Sequence, residues 1–194
     1  MADDELDRSL SEDGRAWDEA GGRLRESARA ADSALRKVRP PAEGGEKARE
    51  EMAARLRELM PASEALRSAS AEVRDAWDAR HAEIRGAFAR AAEAGDVDAL
   101  FDVLGWVMDI ESAAAEPPEL TRSSACLVEW GLASPAFFGA QAACRVAARD
   151  LSDIRSMCRI DAELVSDAIA RARWARAGEA SSADADEKDE EARS

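Results

Sequence analysis

The chain of 194 residues has no tyrosine and no asparagine, one histidine and one threonine, and three lysines against 24 arginines. The arginine excess, with so much alanine, reads as a coding bias toward GC-rich codons and carries no function. With His81 as the single histidine, a histidine-rich metal site cannot be built, and a Ser/His/Asp triad has one candidate base. No apolar run reaches 18 residues, so the sequence offers no transmembrane helix. The N-terminus, MADDELDRSL, is acidic where a secretory signal is basic and then apolar. Neither GxGxxG nor GxxxxGK[ST] occurs, which leaves no glycine loop to cradle phosphate. The three cysteines, Cys126, Cys144 and Cys158, are odd in number and form no CxxC pair. Reduced thiols in a cytoplasmic protein are the expectation.

Apolar bulk is also scarce: Leu, Ile, Val and Phe account for 31 residues of 194. Such a composition with a net charge of −14 approaches that of disordered chains, and the regular spacing of the few apolar residues is what argues for a fold. β-branched residues are few and Ala and Arg favour helix, so the expected fold is all-α. We expect an elongated bundle of long, coiled-coil-like helices with a short apolar central helix pair. The acidic balance repels nucleic-acid phosphate, which makes direct DNA or RNA binding a poor fit.

The densest apolar stretch is Gly95 to Ser112. At helical spacing Val97, Leu100, Phe101, Leu104, Val107 and Met108 make one stripe, and Val103, Trp106 and Ile110 a second about a third of a turn away. Asp98, Asp102, Gly105 and Asp109 occupy the remaining strip. We expect the first stripe to serve the chain's own core, which leaves the second either for that core or for a partner.

The chain divides as follows. Residues 1–5 read as a disordered acidic leader. A helix over about 6–38 carries Leu10, Trp17, Leu24, Ala31 and Val38 at seven-residue steps, with Leu6, Ala20 and Ala34 as companions. Gly21 and Gly22 mark a place for a bend. Pro40, Pro41, Gly44 and Gly45 form a loop. A second helix over 46–94 keeps Met52, Leu56, Leu59, Leu66, Val73, Trp77, Ile84 and Phe88 in one phase, with Ser63, Ser70 and His81 in the gaps. That phase passes through Pro61, where the helix is expected to kink or break while staying in line. Asp96 caps a helix over 96–115, Pro117 and Pro118 make the next loop, and a short helix over 119–130 carries Cys126 and Trp130. Pro135 opens a helix to about 177, with Phe137, Cys144, Leu151, Cys158, Val165 and Ala172 in heptad register and a possible restart at Asp150, Ser152 and Asp153. Residues 178–194, acidic and without apolar content, read as a disordered tail.

Three functions fit this pattern. The leading one is a non-enzymatic adaptor or scaffold that self-associates through its heptad seams and binds another protein through the 96–132 segment. Its partner residues are taken to be Val103, Trp106, Ile110, Trp130 and Trp174, since tryptophan dominates binding hot spots. No catalytic residue, metal or cofactor is assigned. The second is an acidic inhibitor that presents carboxylates in place of phosphates to a nucleic-acid-binding protein. The third is a helical-bundle enzyme or a thiol sensor, in which Arg145 or Arg159 beside Cys144 and Cys158 favours thiolate.

Overall fold

The computed structural model describes the backbone of residues 2–37, 46–120, 122 and 135–191. Among these the protein is all-α, without a strand. The helices are α1 (Ala2–Lys37), α2 (Glu46–Ala94), α3 (Val97–Ala113) and α4 (Pro135–Glu191), and residues 118–120 and 122 are also helical.

Two compact units divide the chain: 1–81 with 113–155, and 82–112 with 156–194. Both α2 and α4 therefore contribute to each.

In the first unit α1 and α2 run antiparallel, because contact positions fall along α2 as they rise along α1. Trp17 meets Trp77 with ring centroids 6.4 Å apart, Arg23 Nε donates to Glu72 at 2.6 Å, and Lys37 lies 3.8 Å from Glu58. The buried residues of α1, Trp17, Ala20, Leu24, Ala28, Ala31, Ala34 and Leu35, repeat at threes and fours, so one stripe faces inward. Leu59, Leu66, Val73 and Trp77 answer it from α2, with Ser63 and Ser70 buried in the same stripe. Fully burying a Leu or Val stabilises by roughly 1.5–3 kcal/mol, so these few large side chains carry much of the unit. α4 joins through Ala140, which packs on Ala34, Leu35 and Leu59, and through Asp150, which accepts from Ser70. Alanine at the inward positions Ala140, Ala143 and Ala147 lets the α4 backbone approach closely there.

At three places where a bend, kink, break or restart is expected, the helix runs on without a break. α1 passes unbroken through Gly21 and Gly22, and α4 through Asp150, Ser152 and Asp153. α2 is one helix across Pro61, whose ring sits on the exposed side. Proline there removes one backbone donor, and the helix is held by buried Leu59 and Leu66 on either side of it. Nearby, Ser63 Oγ donates back to the Leu59 carbonyl at 2.8 Å. The helical bounds also exceed those read from composition. α1 includes residues 2–5, and α4 continues past Gly178 to Glu191. Ala, Glu and Lys sustain a helix where no apolar stripe demands one. The 38–45 loop, and the part of the 119–130 helix from 123 on, lie outside the described residues.

In the second unit the turn from α2 into α3 matches its sequence closely. Gly95 takes φ +63°, its N–H bonds the Ala92 carbonyl at 3.3 Å, and the Asp96 N–H bonds that of Ala91 at 3.0 Å. These two bonds close α2 in a Schellman motif. The Asp96 carboxylate then accepts from the N–H groups of Asp98 and Ala99 at 3.1 and 3.2 Å, capping α3 as expected.

Candidate functional site

The surface of the second unit concentrates the chain's unusual side chains. α3 and the second part of α4 lie antiparallel there, tied by three arginines of α4. Arg159 Nε donates to Glu111 at 2.9 Å, the Arg173 guanidinium sits 5.0 Å above the Phe101 ring, and Arg176 donates to the Gly95 carbonyl at 3.2 Å. As α4 advances, its contacts step back along α3. The arginine stems cover the edge of the helix while their charges stay wet.

The structure redistributes the two apolar stripes of α3. Val97, Leu100 and Val107 are buried as expected, but so are Val103 and Ile110, assigned above to a partner surface. Trp106 is half-buried. The side chains left outside come from the other stripe: Phe101 is 42% and Met108 55% exposed. A wide apolar face cannot all point inward, and the choice between its two edges depends on where the neighbouring helices lie. Val103 and Ile110 therefore present almost no surface in this fold. Asp98, Asp102, Gly105 and Asp109 are exposed, which sets Phe101 and Met108 beside a line of carboxylates.

Of the remaining predicted contacts, Trp174 is 84% exposed, and Trp130 lies outside the described residues. Sequence reasoning passed over Ile160 and Leu164, both exposed on α4. Their spacing to Trp174 was readable in the sequence, but the inner heptad of the same helix took precedence.

The chemical candidates fare differently. His81 stacks on Trp77, with ring centroids 4.6 Å apart and planes 17° apart, as part of an aromatic group with Trp17. Cys144 and Cys158 are buried free thiols. Burial, with Asp32 nearby, pushes the Cys144 thiol up to about 11. Burial, with Asp161 and Glu111 nearby, pushes Cys158 up to about 12. Arg159, expected to favour thiolate, is instead engaged with Glu111. Both thiols are held in the protonated, unreactive form. Among the described residues no group of three or more His, Cys, Asp or Glu is placed to hold a metal ion. A cavity of about 20 Å³ in the first unit, lined by Trp17, Leu24, Val73, Pro117 and Leu151 among others, has room for about one water and none for a substrate.

No helix among the described residues is long and apolar enough to cross a membrane. No family model, curated protein or solved structure matches the chain.

Proposed function

We propose that this chain is a non-enzymatic protein–protein interaction protein, an adaptor or scaffold, that docks a protein partner on the outer face of α3. The observation that supports this most directly is the exposure of Phe101 and Met108 on a helix strapped to α4 by Arg159, Arg173 and Arg176. Large apolar side chains kept on a wet surface incur a solvation cost that a partner removes. Asp98, Asp102 and Asp109 around them favour a partner with basic residues beside an apolar knob, since charge complementarity steers encounter and sets register. Arg159, Arg173 and Arg176 of α4 lie along α3 and set positive charge beside these carboxylates, which weighs against a purely acidic substitute for nucleic acid.

The seams expected to drive self-association are used within one chain, because Trp17, Leu24, Leu59, Leu66 and Val73 are buried against one another's helices. We therefore look for partner binding on the outer faces. Gly105 lies in the middle of the α3 face with open space around it, so a side chain there disturbs nothing inside. A photo-crosslinking residue at position 105 should give one discrete protein adduct in the native cell, lost on Met108→Glu. Adducts that are diffuse, or that Met108→Glu leaves unchanged, would refute the reading.

A further inference from the structure

The outward side of α4 carries a second seven-residue pattern. Ile160, Leu164, Asp167, Arg171 and Trp174 follow one another at steps of four, three, four and three, which places them in a single stripe. All five are exposed, with Ile160 at 59%, Leu164 at 42% and Trp174 at 84%. The inner stripe of the same stretch, Cys158, Asp161, Val165, Ala168 and Ile169, is buried in the chain's own core. A helix satisfied on one side has no folding reason to hold Ile, Leu and Trp in register on the other.

We infer that this stripe pairs with the same stripe of a second copy of the chain, antiparallel and two-fold symmetric, with Asp167 of each copy on Arg171 of the other. The charges select this occupant. A two-fold interface is self-complementary, so each residue must meet what its own surface offers. The stripe holds one acid and one base, one step apart. Placing Asp167 opposite the second copy's Arg171 forms that ion pair twice at the centre. The same register sets Leu164 against the second copy's Trp174 on both flanks, where Asp167, Ala170, Arg171 and Trp174 line a shallow depression. Sliding the pair by one heptad toward the N-termini sets Leu164 against Asp167 and Ile160 against Arg171, and sliding it by two heptads sets Met157 against Asp167. Each of these strands a carboxylate on an apolar side chain, a cost the proposed register avoids.

This inference rests on the interaction reading and gives it one defined partner. It is tested on the full chain by light scattering behind a sizing column at micromolar concentration. The wild type should run at twice 20.9 kDa. Asp167→Arg should bring it to the monomer mass, because the new arginine would then face the second copy's Arg171. The double exchange Asp167→Arg with Arg171→Asp should restore the dimer, since the pair is rebuilt with its signs reversed. Both positions changed lie on the solvent side, so far-UV circular dichroism and the melting midpoint at a concentration where the wild type is monomeric should stay constant and exclude unfolding as the cause. A monomeric wild type overturns the inference while leaving the position-105 adduct as a separate test of α3. A dimer indifferent to Asp167→Arg, or one that the double exchange fails to restore, overturns it as well.

Discussion

Ser70 on α2 gives its hydroxyl hydrogen to Asp150 on α4 at 2.7 Å, and Arg74, one turn further along α2, reaches the other carboxylate oxygen at 3.0 Å. Ser70 is buried, so its hydroxyl depends on that acceptor. Asp150→Ala should destabilise the protein by about 1–3 kcal/mol, chiefly by leaving the hydroxyl without a partner. Arg74 is half exposed, and its share of the loss is small. Ser70→Ala introduced on top of Asp150→Ala should recover part of the loss, since nothing is then stranded. Urea denaturation of the four proteins forms a double-mutant cycle. Strict additivity of the two single losses would show that the bond contributes nothing.

The two glycines of the second unit should respond to alanine with opposite signs. Gly95 holds φ +63°, a conformation a Cβ strains, and Gly95→Ala should cost about 1–2 kcal/mol. Gly105 lies within α3 with nothing near an added Cβ. Gly105→Ala should therefore stabilise by about 0.5–1 kcal/mol through helix propensity. Thermal melts of both variants beside the wild type check the signs. A loss at Gly105 would mean that its surroundings are closer than the open space described.

Arg173 over Phe101 fastens the C-terminal part of α4 to the start of α3. Arg173→Gln should lower stability by about 0.5–1 kcal/mol, the size of an exposed cation–π contact. The same change in a Phe101→Ala background should have almost no effect. Hydrogen exchange would localise the loss to residues 97–104, and an equal loss in both backgrounds would assign it to something other than the ring.

How far the sequence carries the structure depends on whether a pattern is one-sided. Trp17, Leu24 and Ala31 recur at sevens with only polar residues, alanine or glycine between them, and their burial follows directly. The Asp96 cap and the Gly95 turn were also readable, because they are local chemistry. Where apolar residues cover two faces the periodicity is silent on which one turns inward. Val103 and Phe101 exchange places for that reason, and what decides it, the packing of α4 against α3, is set by residues far away in sequence. Asp150 shows a second limit. By itself it reads as a cap competing with its helix, but Ser70 and Arg74 give that carboxylate partners on another helix, so α4 has no cause to end there. On α4 the inner heptad concealed an outer one of equal regularity, and only exposure separates the two.

The two buried thiols supply a pH test with a defined sign. Their folded values, about 11 for Cys144 and about 12 for Cys158, lie above the ordinary thiol value of 9.0. As pH rises past 9.0 the unfolded chain releases protons that the folded chain retains, which favours unfolding. The thiols' contribution to stability should thus be intact below about pH 9 and decline from there to about pH 11–12, by roughly a few kcal/mol in all. Other groups titrate in the same range, so the measurement is the difference in slope between the wild type and a Cys144→Ala, Cys158→Ala variant, followed by denaturation at a series of pH values. The variant should lose the extra decline even if its cavities lower stability throughout. A companion measurement at about pH 8, below the ordinary thiol range, on a Cys126→Ser background, should show both thiols inert to iodoacetamide until denaturant is added. Rapid labelling of native Cys158 would contradict the burial that holds its proton, and would return the thiol-sensor reading to consideration.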